Sequence, residues 1–294
     1  MSALRDFRSK AERLNQDDWL ALRIWPRLLV TLLLLTAGPF LYANELSSTG
    51  NAVHVPGGAG LLAGRIYKGR HLSEHPHLVV VLHGDAPFNN PTYQYVFAAH
   101  AAASLDDTVV AALLRPGYID GKGLTSDGRT GWKNGDNYTR DRIAAIADAA
   151  RALSREYAAR DLTLVGHSGG AAISADILGL YPGLAARALL VSCPCDVPAF
   201  RWSMMKYQWN PVWLLPVSSV SPQAEVGSIP KSTLVRMVVG ADDPLTPKPL
   251  TLAFAAALKA RGVSVSVTIL PKLGHEILLE PETLNQLKEL MREP

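Results

Sequence analysis

A Gly-x-Ser-x-Gly pentapeptide, Gly166-His167-Ser168-Gly169-Gly170, stands between an apolar, β-prone run (162–165) and a run of small residues that favours a helix. A strand, a sharp turn and a helix in this order hold a serine hydroxyl clear of a sheet, where it can act as a nucleophile. The backbone at Ser168 must then be strained, and Gly166 and Gly170 lack side chains that would clash with the crowded strand and helix. The alternative is a glycine-rich turn without chemistry. The flanking strand and helix favour the nucleophile.

A serine at its ordinary pKa is a weak nucleophile and needs a base that a third group holds in place. His275 follows the last predicted strand (263–270), and Asp242 and Asp243 follow the strand before it (234–239). Serine, acid and histidine occur in this chain order in one of the known triad arrangements. We favour Asp243 as the acid, with Asp242 as a solvated or turn-capping neighbour. The alternative for His275 is a surface loop histidine.

The negative charge that develops on a substrate oxygen needs two backbone N–H donors. Gly169 supplies one at the start of its helix, where N–H groups have no intrahelical partner. We expect the second from Asp85, which follows His83-Gly84 at the end of an apolar strand (77–82). An ionised Asp85 side chain aimed at this charge would oppose it, so it must point away or serve another role. For His83 we prefer structural support of the loop to catalysis.

The elements that position these residues alternate between strand and helix. Strands are predicted at 51–56, 61–69, 77–82, 108–114, 162–165, 188–191, 234–239 and 263–270, and helices at 91–105, 138–157, from Gly169 onward, at 249–260 and at 282–291. This alternation predicts an α/β fold with a mostly parallel sheet covered by helices on both faces. Ligands of such sheets bind at the carboxyl ends of the strands. The long loop 115–137, with Trp132, has a length typical of functional or mobile loops.

Residues 1–45 differ from the rest of the chain. An uncharged apolar run (28–43) follows a segment with six basic residues, Arg5, Arg8, Lys10, Arg13, Arg23 and Arg27. This pattern predicts either a signal peptide with Ala43 at the cleavage site or an uncleaved membrane anchor through residues 25–43, with Trp25 and Tyr42 at the two interfaces. A buried helix of the main domain is less favoured, because the run has no polar face. We therefore expect export to a periplasmic or extracellular location.

The composition of the chain argues against a nucleic-acid-binding protein. The formal net charge is only +3, and no Lys/Arg stripe is interleaved with aromatic residues, so we expect no nucleic-acid partner.

The two cysteines, Cys193 and Cys195, bracket Pro194. A bridge between residues i and i+2 closes a tight, strained ring, so we interpret them as packed or reduced thiols, with a labile redox pair as the alternative. They lack the partners of a metal site, and we expect no metal and no cofactor.

In these residues the chain resembles the α/β-hydrolase superfamily, in particular its serine esterase and prolyl-oligopeptidase-like branch. The resemblance runs from about residue 60 to the end of the chain and rests on His83-Gly84, the Ser168 pentapeptide, the acid loop 240–247 and Gly274-His275. The spacing Gly240-x-x-Asp243-x-x-x-Pro247 is similar to the acid loop of that branch. The chain departs from the superfamily in Asp85 and in lacking the His-Gly-Gly-Gly form of one lipase and esterase branch.

The resemblance implies that residues 46–294 form a hydrolase domain and that the insertion at about 196–232 is a lid over the site. Trp202, Trp209 and Trp213 lie within this insertion. They either pack the lid onto the domain or form an apolar wall for an acyl chain or an aromatic ester.

The resemblance also implies attack by Ser168 on a small-molecule substrate, an acyl-enzyme, and hydrolysis by water that His275 activates. We expect a carboxylesterase-like serine hydrolase. An amidase or peptidase on the same triad is the first alternative. A non-catalytic binding protein on a hydrolase scaffold is the second, although such a protein is expected to have lost a triad residue.

Overall fold

An eight-stranded sheet forms the centre of the computed structural model, which describes residues 50–85, 90–131 and 137–293. The strands are β1 (Asn51–Gly57), β2 (Gly60–Lys68), β3 (His77–Leu82), β4 (Thr108–Leu113), β5 (Asp161–His167), β6 (Arg187–Val191), β7 (Leu234–Gly240) and β8 (Ser264–Leu270). Their spatial order is β1-β2-β4-β3-β5-β6-β7-β8. Only β2 runs antiparallel to its neighbours, while β4 and β3 and then β5 to β8 pair in parallel. The predicted mostly parallel sheet is confirmed.

The central strand β3 shows why the sheet must be covered on both sides. All residues from Leu78 to Leu82 are fully buried. Leu78, Val80 and Leu82 face one hydrophobic core, and Val79 and Val81 face the other. Side chains alternate between the faces of a strand, so an uninterrupted apolar run is stable only when both faces are packed.

Seven α-helices in the described part of the chain supply the two layers. They are α1 (Tyr93–Ser104), α2 (Arg140–Glu156), α3 (Gly169–Leu180), α4 (Val197–Gln208), α5 (Pro222–Glu225), α6 (Lys248–Ala260) and α7 (Pro281–Arg292). Residues of α2, α3 and α6 pack in the core on one face of the sheet, and residues of α1 and α7 pack in the core on the other. Helices therefore cover both faces, as the sequence predicts.

The insertion at 196–232 contains α4, α5 and two short 3-10 helices, Pro211–Leu214 and Val226–Ser228. Its three tryptophans differ in their surroundings. Trp213 is buried and packs edge-to-face on Phe200, with ring centroids 5.7 Å apart. Trp202 is half exposed and Trp209 is 88% exposed. The cluster of Trp213 also packs against Leu245 and Leu250, outside the insertion. Packing of the insertion onto the domain therefore describes Trp213, whereas Trp202 and Trp209 are exposed.

Cys193 and Cys195 form a disulfide that brackets Pro194, and both residues are fully buried. The interpretation as packed or reduced thiols is therefore wrong. The backbone through Pro194 places the two Cα atoms 5.2 Å apart, which lies within the ordinary range for a bridge.

Two predicted segments lie outside the described residues. They are the N-terminal segment 1–45, with its apolar run, and the part of the long loop that contains Trp132. Within the described ranges, no helix combines the length and the apolar content that crossing a bilayer requires.

Candidate active site

Ser168 stands at the junction of β5 and α3 with φ 53° and ψ −123°. A non-glycine residue at positive φ is strained, as the sequence predicts for this position. The Ser168 N–H donates to the Val191 carbonyl at 2.8 Å, and the Ser168 carbonyl accepts the N–H groups of the first turn of α3. A Cβ atom at Gly170 would lie 2.5 Å from the carbonyl oxygens of Leu82 and His83. The end of β3 and the end of β6 therefore both contact this turn, and Ser168 is partly exposed.

His275 and Asp243 meet at the same edge of the sheet, although 32 residues separate them. The distance between His275 Nδ1 and Asp243 Oδ2 is 2.9 Å. Ser192, which directly follows the strand residue that binds the Ser168 N–H, donates from Oγ to the His275 carbonyl at 3.0 Å. Adjacent residues of one chain segment therefore contact the candidate nucleophile and the candidate base. Nδ1 is occupied by Asp243, so Nε2 is the nitrogen that remains for the Ser168 hydroxyl.

The structure also separates the two adjacent aspartates. Asp243 is buried and Asp242 is exposed. Asp243 Oδ1 accepts the N–H groups of Leu245 and Thr246, each at 2.9 Å, and Oδ2 accepts the Thr246 hydroxyl at 2.6 Å. Burial alone would raise the pKa of Asp243, but the bonds from His275 and Thr246 hold it below its ordinary value. Asp243 therefore stays ionised and can stabilise a protonated His275.

The N–H groups of Asp85 and Gly169 have no hydrogen-bond partner among the described residues. Gly84 brings the two segments together, because a Cβ atom at this position would lie only 2.8 Å from Ser168 Cβ. The expected pair of donors thus lies beside the candidate nucleophile without a competing acceptor among the described residues. Free donors next to a nucleophile can stabilise an oxyanion.

The Asp85 carboxylate, which the sequence leaves as an oddity, is neutralised by two buried partners. Arg115 Nη1 donates to Oδ1 at 2.8 Å, and the Tyr138 hydroxyl donates to Oδ2 at 2.8 Å. Burial would lower the pKa of Arg115, but Asp85 offsets this and the pKa is raised. The carboxylate oxygens lie 2.8 Å from the position that a Cβ atom of Gly169 would occupy. The negative charge is therefore close to the elbow but carries its own counter-ion.

His83 is fully buried and joins two loops. The Arg115 N–H donates to His83 Nε2 at 3.0 Å, so Nδ1 carries the proton and donates to the Gly84 carbonyl at 2.7 Å. Burial and the Arg115 charge hold the pKa of His83 well below its ordinary value, which keeps the ring neutral. These contacts are those of a residue that supports the loop, the role that the sequence favours.

One group of metal-ligand residues occurs among the described residues. Ligand atoms of His167, His275 and Glu276 lie within 4.8 Å of one another. However, Nδ1 of His167 contacts Tyr93 and Nε2 contacts the His275 carbonyl. A metal ion would have to break one of these contacts, so we assign no metal to this group.

Sequence reasoning missed four residues that contact the site: Arg115, Tyr138, Tyr93 and Ser192. Two of them carried a usable signal. Ser192 comes directly after the end of β6, and Arg115 comes two residues after the end of β4. Both positions lie at the edge where ligands of parallel sheets bind. Tyr93 and Tyr138 carry no such signal, because each reaches the site through a long-range side-chain contact.

No protein-family model matches the sequence, and no curated protein matches it significantly. Solved structures do match. An esterase of Pyrococcus furiosus has a TM-score of 0.64 at 14% identity, over 84% of this chain and 91% of the esterase. An esterase of Pyrobaculum calidifontis has a TM-score of 0.62 at 17% identity, over 85% of this chain and 87% of the esterase.

An acylaminoacyl peptidase of Pyrococcus horikoshii has a TM-score of 0.60 at 14% identity, over 82% of this chain. The match covers 40% of the peptidase, so this chain corresponds to less than half of it. Together with the sheet order and the strained serine, these similarities show that the chain has the α/β-hydrolase fold.

Proposed function

We propose that the chain is a serine hydrolase that cleaves carboxylic esters through an acyl-enzyme. The proposal rests on one arrangement, a serine at positive φ on the turn between β5 and α3 with the Asp243–His275 pair at the same edge of the sheet. In this mechanism His275 Nε2 takes the proton of Ser168 as its Oγ attacks the ester carbonyl carbon. The N–H groups of Asp85 and Gly169 hold the oxyanion.

The reaction has two steps, acylation of Ser168 and hydrolysis of the acyl-enzyme. Collapse of the tetrahedral intermediate expels the alcohol, which receives the proton from His275 and leaves the acyl group on Ser168. Water loses a proton to His275 and attacks the acyl carbon. Collapse of the second tetrahedral intermediate releases the carboxylic acid, and His275 returns the proton to Ser168 Oγ. Asp243 keeps His275 in the required tautomer throughout.

Substitution of Ser168 tests this function. Turnover of a short p-nitrophenyl ester should be abolished in Ser168→Ala. Ser264→Ala, at an exposed serine that begins β8 and so lies at the opposite edge of the sheet, serves as the control. Unchanged turnover in Ser168→Ala would refute the proposal.

The structurally similar proteins include both esterases and a peptidase. A shared fold therefore supports ester and amide cleavage equally, and experiment distinguishes them. A panel of esters and anilides with the same acyl group separates the two. Faster turnover of the anilide would replace the ester proposal by the amidase alternative on the same residues. Binding without any turnover would favour a non-catalytic scaffold.

We also propose that the insertion at 196–232 acts as a lid. Its buried cluster of Phe200, Met204 and Trp213 packs against the partly buried Leu245 of the acid loop and Leu250 of α6. This position supports a role at the rim of the site. The test replaces Trp202 and Trp209 by serine and measures which acyl-chain lengths of the ester are still hydrolysed. A narrower range of chain lengths would support a lid that contacts the substrate, and an unchanged range would oppose it.

Export remains a proposal from residues 1–45 alone. Fractionation of cells that express the full chain, with N-terminal sequencing of the product, distinguishes a cleaved leader from an uncleaved anchor. A full-length product in the cytoplasmic fraction would contradict export.

A further inference from the structure

His167, the residue before the candidate nucleophile, is buried. Its two ring nitrogens contact the first residue of α1 and the loop after β8. Nδ1 lies 2.9 Å from the Tyr93 hydroxyl, and Nε2 lies 3.0 Å from the His275 carbonyl oxygen. Its ring packs against that of His275 with the centroids 5.1 Å apart. His167 therefore contacts both the backbone and the ring of the candidate base.

The proton positions in this chain of contacts follow from its two ends. The Gly84 N–H donates to the Tyr93 oxygen at 2.6 Å. A backbone N–H can only donate, so the proton of the Tyr93 hydroxyl is available for Nδ1 of His167. At the other end the His275 carbonyl can only accept. The carbonyl therefore requires the proton of His167 on Nε2, and the Tyr93 hydroxyl stabilises the same tautomer by donating to Nδ1.

A doubly protonated His167 does not fit this arrangement. A proton on Nδ1 would face the Tyr93 oxygen, which already accepts from Gly84, and would displace the Tyr93 proton from its acceptor. Burial, and then the neighbouring His275, lower the pKa of His167 to about 3, although Asp243 acts in the opposite direction. His167 thus remains neutral and adds no positive charge beside His275 when that ring becomes protonated.

The base is consequently fixed at two places. Its carbonyl oxygen accepts from His167 Nε2 and from Ser192 Oγ, and its Nδ1 is held by Asp243. These contacts leave little freedom to the ring nitrogen that must meet Ser168. A misplacement of about 1 Å can cost about 100-fold in rate, so an anchor on the carbonyl of the base has a measurable effect.

We propose that His167 is a positioning residue that, as the Nε2–H tautomer set by Tyr93, holds the His275 carbonyl and couples the base to the loop of Gly84. This inference rests on the proposed serine hydrolase function. It adds a hydrogen-bonded connection, Gly84–Tyr93–His167–His275, between the base and the loop that precedes the Asp85 donor.

The tautomer is tested without any activity measurement. In the full chain labelled with ¹⁵N-histidine, long-range ¹H–¹⁵N correlation spectra identify the protonated nitrogen of each ring, and His167→Gln assigns the signal. We expect a neutral Nε2–H ring for His167 with no titration between pH 5 and pH 8. A proton on Nδ1, or a titration in that range, would overturn the inference.

Two variants then separate positioning from packing. The amide nitrogen of glutamine takes the place of Nε2, whereas the amide of asparagine takes the place of Nδ1 and does not reach the His275 carbonyl. On a p-nitrophenyl ester, His167→Asn should lower kcat about 10-fold or more with KM nearly unchanged, the effect of one lost hydrogen bond. His167→Gln should keep most of kcat. Equal kcat losses in both variants, or no loss in either, would overturn the positioning role.

Folding and function are checked separately. Urea midpoints of both variants show whether a loss of kcat reflects unfolding, and Ser192→Ala should deepen the loss in His167→Asn because it removes the second donor. Failure of the proposed function is recognised by a wild-type chain that turns over no ester. Failure of this inference alone gives an active wild type with equally active asparagine and glutamine variants.

Discussion

The buried pair of Asp85 and Arg115 gives a quantitative prediction. The side chain of Arg115 is 2% exposed and that of Asp85 is 14% exposed, so removal of one partner leaves the other charge buried and unpaired. Breaking such a pair costs about 3–5 kcal/mol, whereas replacing both partners costs much less. We expect Arg115→Met to lower the free energy of unfolding by about 3 kcal/mol. Adding Asp85→Asn should recover about 2 kcal/mol of that loss.

Urea unfolding of the wild type, both single variants and the double variant measures this coupling. Residues that share no interaction give additive changes within about 0.5 kcal/mol. Additivity at that level would refute the claim that Arg115 neutralises Asp85.

Ester turnover by the same four proteins extends the test to the site. An unpaired Asp85 carboxylate beside Gly169 opposes the oxyanion, so kcat should fall further in Arg115→Met than in the double variant. The opposite order would show that Arg115 acts on the reaction by another route than through Asp85.

Three further predictions concern other parts of the chain. Burial raises the pKa of Asp176 from 3.8 to about 9, so the folded state holds a proton that the unfolded state releases and stability falls as pH rises between these values. In the wild type this lowers the free energy of unfolding by up to about 1.4 kcal/mol per pH unit. Urea unfolding at pH 5, 7 and 9 should show that Asp176→Asn removes this pH dependence. A variant less stable than the wild type at pH 9 would contradict this. Asp243→Asn should lower kcat by about 10³-fold or more with KM nearly constant, because His275 loses its orienting partner, and steady-state kinetics showing a wild-type kcat would exclude that role. Trp213→Ala should cost about 3 kcal/mol or more in urea unfolding, whereas Trp209→Ala should change stability by less than about 0.5 kcal/mol; equal effects would contradict the difference in burial.

Local sequence pattern predicts most of the fold because burial imposes it directly. The apolar run 77–82 must be a central strand of a covered sheet, and it coincides with β3. The strained serine is equally local, since glycines at fixed offsets from Ser168 are what the turn requires. Strand ends are less well predicted. β5 continues through Gly166 and His167, because pairing with β3 and β6 extends it beyond its apolar residues.

Contacts between distant polar side chains leave no comparable pattern. Nothing near Asp85 in the sequence indicates that Arg115 and Tyr138 neutralise it, and nothing near His167 indicates Tyr93 as its partner. These pairs form only after the strands and helices have packed. The disulfide of Cys193 and Cys195 depends in the same way on the local path of the backbone, which spacing alone does not determine.

Covalent labelling by a fluorophosphonate probe, mapped by peptide mass spectrometry, tests the central claim most directly. Activation of the Ser168 hydroxyl by His275 predicts a single adduct on the peptide that contains Ser168 and a rate lowered by at least about 100-fold in His275→Ala, the contribution of a general base. An unlabelled wild-type chain, or a His275→Ala variant labelled as fast as wild type, would contradict it.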